Sequence, residues 1–442
     1  YSNSIIYLVH VRGFTKHMSG KVKNPGTFEG IVEKIPYLKD LGVTTLELMP
    51  AYEFSEARKK AEKTNIIRHG EKDIDLKKDI ALNYWGYGEG YYFAPKASFA
   101  ADPENAAKSF GDMVKALHKE GMEVVMQFNF PDTIKPGFIL EVLKYWVLTY
   151  GVDGFHLMGE RIPLTLIATE PLLLDTKIMY YNFPAWEIYG KEKPVYKNLG
   201  IYNDETMYNF RKFLKSDEGQ IQGVINSMRQ VDEQFGKIAS ITNGNGFTLM
   251  DLVSYDRKHN EENGEGNRDG NPYNASWNCG VEGNTNKKAV KALRRRQIKN
   301  AIAFTLFSQS TPLIVSGDEF GNSQNGNNNP YCIDSPVTWL NWKDLEKNRD
   351  IYEFYRTCIK IRKNNPILHM KQPFRMTDYL SKGFPDLSFH GEEAWRVETD
   401  DLTRHFAMLF SSEYAFDTKK NTVAESIKNT PYYGEYIYIG IN

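Results

Sequence analysis

The chain has 442 residues, 41% hydrophobic and 25% charged, with 55 basic side chains against 56 acidic ones. That composition belongs to a globular protein with a sizeable core. A net charge of −1 removes any electrostatic case for nucleic acid or an anionic membrane as partner, and no apolar run nears the roughly 18 residues of a membrane span. Cys279, Cys332 and Cys358 show no paired spacing, which argues against a disulfide framework and for a reducing compartment. No basic-then-apolar leader opens the chain, so the expected location is cytoplasmic. Both ends, IIYLVHV and YIYIGIN, read as strands, and a longer native chain is expected.

Ile5–Val11 alternates as a strand, Thr27–Leu41 has helical periodicity, and Thr44–Met49 is a strand stopped by Pro50. The helix Ala106–Glu120 leads into the strand Glu123–Phe130. The helix Ile139–Tyr150 then feeds, through a turn at Gly151, the strand in YGVDGFHLMGE. Lys177–Tyr181, Ile238–Thr242 and Pro312–Ser316 are further strands; Glu205–Leu214, Gln297–Phe307 and Asp350–Lys363 are further helices. Alternation of this kind argues for parallel βα units. About eight of them in some 370 residues predict an α/β fold, a closed (β/α)8 barrel. From Phe374 the pattern changes to the short strands of LSFHG, HFAMLF and YIYIGIN. A barrel over 1–373 and a small C-terminal β domain over 374–442 are therefore expected. His259–Gly280 is a long Asn- and Gly-rich loop, of the kind that in compact domains carries function or is disordered.

Several blocks run in order through nearly the whole chain: HVRGFTK, LGVTTLELMPAYEF, NYWGYGEGYYFAP, the long loop from DLVSYDRKHN to NCGVEGNT, SGDEFGNSQNGNNNPYC and VTWLNW. Together they resemble the α-amylase family, and within it the glycogen-debranching, isoamylase and pullulanase branch. The resemblance implies a (β/α)8 barrel with a C-terminal β-sandwich, acting on α-glucans. It also implies retaining glycoside hydrolysis, which uses a carboxylate nucleophile and a carboxylic acid roughly 5 Å apart, with a further Asp stabilising the distorted sugar.

On that frame the fourth strand has Met158 at the nucleophile and His156 where the family has Arg. Tyr181 stands at the acid, Gly244 and Asn245 stand at the His-Asp pair of the seventh strand, and Gln127 replaces the third-strand Asp, with Pro131 and Asp132 after it. A thioether exchanges no proton at neutral pH, and a phenol has an ordinary pKa near 10. The expectation is therefore a non-catalytic relative, not an enzyme. It would keep the barrel to bind an α-glucan or oligosaccharide, or a protein partner such as a second copy. Two alternatives stand beside it: an active α-1,4- or α-1,6-glucan hydrolase or debranching enzyme with relocated acids, and an interaction protein with no sugar ligand.

In the family, the Tyr of NYWGY is a stacking floor for sugar, so Tyr84, Trp85 and Tyr87 are candidate glucan-binding residues; their other reading is bracing of the barrel rim. Trp277 and Asn278 in ASWNCGVEG carry the same two readings. Asp132, Glu160 and Glu170 read as solvated loop acids or helix caps. Asp153 is not catalytic in the family, and Asp318 and Glu319 are read as structural. The nine histidines show no metal-like pair on a helix face, His156 is read as a cavity histidine, and no phosphate or dinucleotide fingerprint is present. No metal and no cofactor are expected. ARKKAEK and LRRRQIKN are read as solvated helix faces.

Overall fold

The computed structural model describes residues 1–59, 80–202, 204–416, 428 and 433–442. Eight parallel strands close into a barrel: β1 (Ile6–Val9), β2 (Thr45–Leu48), β3 (Glu123–Asn129), β4 (Gly154–Met158), β5 (Lys177–Tyr180), β6 (Leu199–Ile201), β7 (Gly236–Ala239) and β8 (Thr311–Val315). Each strand pairs with the next in chain order, and β8 returns to β1 with Leu313 opposite Ile6. A three-stranded antiparallel sheet follows, β9 (Leu387–His390), β10 (Phe406–Ser411) and β11 (Tyr436–Ile441), with β10 in the middle. The fold is the expected (β/α)8 barrel with a C-terminal β element.

Side chains alternate along each strand. Leu46, Leu48, Phe155 and Leu157 join the large core between strands and helices. Ile6, Leu8, Val125, Met179, Ile238 and Leu313 form a separate core inside the barrel. The helix Ala106–Lys119 buries Phe110, Met113, Val114 and Leu117, the three-four spacing that lays one face on the strands. The helix Pro136–Tyr150 starts on a proline and ends at Gly151, whose φ of 68° is left-handed and whose N–H donates to the Val147 carbonyl at 2.9 Å. Beyond β4, Gly159 has φ 134°, and a Cβ there would lie 2.3 Å from the Phe130 carbonyl oxygen. Only glycine lets the chain leave β4 so close to the end of β3.

One expectation differs from the structure, and two elements had no expectation. The single helix over Thr27–Leu41 is two, Phe28–Glu33 and Ile35–Leu41, because Pro36 has no N–H for the preceding turn and serves better near a helix start. β6 has only three residues with Gly200 in the middle, too short to leave a periodic signal. The helix Ile221–Arg229 was also without a clear signal. Of the charged runs, LRRRQIKN lies in the helix Lys288–Phe307, while residues 60–63 of ARKKAEK lie outside the described residues. Among the described residues, no helix is long and apolar enough to cross a membrane.

Asp318 and Glu319 are the structural acids the sequence suggested. Glu319 Oε1 accepts from the hydroxyls of Tyr7 and Tyr37, each at 2.6 Å, tying β1 to the helix Ile35–Leu41. Asp318 accepts from the Leu249 N–H at 2.8 Å and from the Thr242 hydroxyl. Burial nevertheless pushes the Asp318 pKa up to about 7, against those hydrogen bonds. A folded pKa above the ordinary value near 3.9 means that the folded state holds the proton more tightly. Its contribution to stability is complete below about pH 4 and is lost as pH rises through about 7. Asp318→Asn should therefore flatten the decline in stability across that window in urea unfolding. Wild-type and variant curves that stay parallel there would contradict the assignment.

Candidate functional site

Sites in this architecture lie where the strands end, at the C-terminal face of the barrel. Just below that face the axis carries a polar cluster. Leu46 and Leu48 turn outward, so Glu47 turns inward, where it is fully buried. Gln127 on β3 and His156 on β4 are register partners. Their side chains converge on one oxygen of Glu47: Oε1 accepts from Gln127 Nε2 at 2.7 Å and bonds His156 Nδ1 at 2.7 Å. Glu47 Oε2 is buried with no hydrogen-bond partner among the described residues. The Tyr87 hydroxyl donates to Gln127 Oε1 at 2.6 Å. The Tyr202 ring, just beyond β6, lies 4.6 Å from the His156 ring. Burial, then the Glu47 and Asp204 charges, hold the Tyr202 hydroxyl well above its ordinary pKa, so it stays neutral.

The NYWGY aromatics sit above this cluster. Tyr84 is 5% exposed and Trp85 7%. Tyr84 stacks on His10 at 4.1 Å, and His10 is held neutral, its pKa lowered to about 4 by burial, with Nδ1 accepting from Gly13 and Nε2 donating to the Tyr84 carbonyl. Tyr84 and Trp85 thus belong to the interior core of the barrel rather than to an open stacking floor. Tyr87, half-buried, is the member that reaches the cluster. Trp277 and Asn278 stand elsewhere. Trp277 packs beside the helices Glu205–Leu214 and Lys288–Phe307, and Asn278 ties its own loop through Asp256, Glu282 and Gly280.

Of the residues expected at the three family positions, Met158 is half-buried at the end of β4, Tyr181 is 69% exposed one residue past β5, and Asn245 is exposed. The remaining loop acids follow their plain readings. Asp132 and Glu160 are exposed, Glu170 caps the turn at Leu172, and Asp153 braces Val124 and His118. Among the described residues, no group of His, Cys, Asp and Glu is placed to hold a metal ion. A cavity of about 510 Å³ exists at the opposite face, lined in part by Glu123, Lys177 and Lys237, away from the strand ends that carry chemistry in such barrels. Sequence reasoning missed Glu47, although a charge at an inward position of the strand TTLELM was a readable signal.

No family model matches the chain. Isoamylase 1, chloroplastic, of Arabidopsis thaliana is 30% identical over 451 residues, covering 81% of this chain and 56% of the relative. The glycogen operon protein GlgX homolog of Mycobacterium tuberculosis is 30% identical, covering 85% and 60%. The chain belongs to the α-amylase family, in its debranching branch. The glycogen debranching enzyme of Enterobacter sp. adds 30% identity over 83% of this chain and 64% of its own length. Among solved structures, the pullulanase from Bacillus acidopullulyticus superposes with TM-score 0.65 at 19% identity, over 94% of this chain and 53% of that one. The pullulanase from Paenibacillus barengoltzii, in complex with maltohexaose and α-cyclodextrin, gives 0.66 at 18%, over 92% and 68%. The chain spans 56% to 64% of the length of the three curated relatives.

These relatives overturn the expectation that the chain is not an enzyme. Names such as isoamylase and glycogen debranching enzyme, at 30% identity over more than four-fifths of the chain, point to an enzyme. That expectation holds only where acid–base groups stand nowhere but at the positions of Met158, Tyr181 and Asn245. The axial cluster, with its buried carboxylate and imidazole, lies outside that assumption. Its integrity is testable. Tyr87→Phe leaves Gln127 Oε1 without its hydroxyl and should cost about 1 to 2 kcal/mol in denaturant unfolding; a variant as stable as the wild type would mean that the hydroxyl is not engaged.

Proposed function

We propose that the protein cleaves α-glucans as a hydrolase of the debranching type, with its acid–base groups on the barrel axis instead of at the three family positions. The observation that carries this reading is the Glu47–His156 contact of 2.7 Å, buried directly under the strand ends. The substrate class is supported by the relatives, which are named for isoamylase and glycogen debranching, and by a pullulanase neighbour that holds maltohexaose. Tyr87 is the aromatic best placed to meet a sugar entering from the mouth, since Tyr84 and Trp85 are enclosed. A barrel domain over 1–373 and a β domain over 374–442 remain the proposed division. The three free thiols support a reducing compartment such as the cytoplasm.

The test is release of reducing ends by homogeneous protein from pullulan, from a branched limit dextrin and from maltoheptaose, with calorimetry on the same samples. New reducing ends are expected, with α-1,6-linked substrates favoured. Heat of binding without any new reducing end would sink the hydrolase reading.

A further inference from the structure

The first residues of β3, β5, β7 and β8, which are Glu123, Lys177, Gly236 and Thr311, line the cavity of about 510 Å³ at the base of the barrel. The charged side chains of its lining are four lysines, Lys177, Lys197, Lys237 and Lys371, against Glu123 and Asp232. In a chain of net charge −1 that excess is local and does not follow from composition. Two of the four ammonium groups are used inside the fold. Lys177, 5% exposed, pairs with Glu123, whose other oxygen accepts from the Thr45 hydroxyl at 2.6 Å. Lys197 donates to the backbone carbonyls of Asp232 and Lys371. Asp232 keeps one carboxylate oxygen on the N–H groups of Gln234 and Phe235, at 2.8 and 2.9 Å. Lys237, half-buried, and Lys371, exposed, have no hydrogen bond or ion pair at their ammonium groups among the described residues. Ser310 also lines the cavity, and its hydroxyl, on a residue 3% exposed, has no partner among the described residues. An adjoining cavity of about 880 Å³ shares Lys371 and adds Lys363 and Arg362, with no carboxylate among its described lining residues. The carbonyls of Leu306, Ser308 and Ser310 take up the Arg362 N–H groups without neutralising their charge.

An ammonium group drawn partly out of water without a counter-charge loses hydration and gains nothing from the fold in return. Gathering several around one cavity adds mutual repulsion, which a bound anion removes. We infer that the base of the barrel binds a small phosphate ester, with Lys237 and Lys371 holding the phosphate and the rest of the cavity enclosing an organic ring. A phosphate monoester carries nearly two negative charges near neutral pH and three strong acceptor oxygens. That charge matches the two free ammonium groups, and lysine binds phosphate as a point charge. Inorganic phosphate alone would leave most of the space empty, whereas a cavity of about 510 Å³ has the size of an organic ligand's pocket. The half-exposed ring of Tyr196 and the buried ring of Phe235 in the same lining offer apolar surface to the organic part. The site stands at the beginnings of the strands, so its occupation leaves the mouth of the barrel open. It does not depend on what is cleaved there.

The experiment is isothermal titration calorimetry on the whole chain in phosphate-free buffer, with glucose 6-phosphate, ADP, inorganic phosphate and glucose as probes. Wild type is compared with the double variant Lys237→Gln, Lys371→Gln. A control variant, Lys343→Gln with Lys347→Gln, removes two exposed lysines from the helix Lys343–Lys347. Circular dichroism verifies folding. At least one of the two esters should bind and glucose should not. The cavity variant should weaken ester binding about 10-fold or more, while the control stays within about 2-fold of wild type. Binding of glucose 6-phosphate without ADP supports the inference with a sugar as the organic part, and the reverse supports it with a nucleoside. No heat from either ester, or inorganic phosphate bound as tightly as the esters, would overturn it. So would an equal loss of affinity in the control variant, which would mean general surface charge. If the cavity variant fails to fold, Lys371→Gln alone decides, since that side chain is exposed and has no partner to strand; unchanged ester affinity there overturns the inference.

Discussion

Eight parallel strands closed on themselves leave every second side chain pointing at an axis from which water is excluded. The rest of the molecule depends on how that axis is filled. Its apolar part, from Ile6 and Leu8 through Val125 and Met179 to Leu313, separates cleanly from the larger core beneath the helices. Nearer the strand ends the filling becomes polar, and the register is what permits it. Gln127 and His156 face each other across β3 and β4, so both reach the same oxygen of Glu47. A slip of one residue would turn all three side chains into the outer core.

The architecture was largely legible because its signals are redundant. The helix Ala106–Lys119 announces itself through one buried face, and β3 and β4 through runs that only a buried strand accommodates. β6 was not legible, since three residues centred on Gly200 carry no periodicity and are strands only because β5 and β7 pair with them. The family blocks were legible as well, and the expectation that Met158, Tyr181 and Asn245 stand at the reactive positions came from them. They mislead about activity, because absence at three positions is not absence from the site. A motif locates the places where a relative does its chemistry; it does not enumerate the places where a barrel can present a carboxylate.

The aromatic motif NYWGY shows the limit of residue type as a guide to exposure. Tyr84, Trp85 and Tyr87 look equivalent in the sequence, yet Tyr84 is spent on stacking with His10 and Trp85 on the interior core. Tyr87 alone turns its hydroxyl to Gln127. Three-dimensional context made that choice. The φ of 81° at Gly86 lets the chain turn between Trp85 and Tyr87, with Phe54 so close that a Cβ there would lie 2.3 Å from its ring.

Stability alone gives no account of Glu47. A barrel axis gains from apolar contacts, and taking a carboxylate out of water costs several kcal/mol, by rough reckoning, unless its lone pairs are used. Here one oxygen serves two donors while the other has no partner among the described residues, so the desolvation is only partly offset. An apolar set of similar volume at Glu47, Gln127 and His156 would fill the same space with less to compensate. What the polar set supplies, and an apolar one cannot, is a negative charge fixed against an imidazole directly beneath the strand ends. The arrangement is costly for folding, which is the balance expected where a site, rather than a core, sets the choice of side chain.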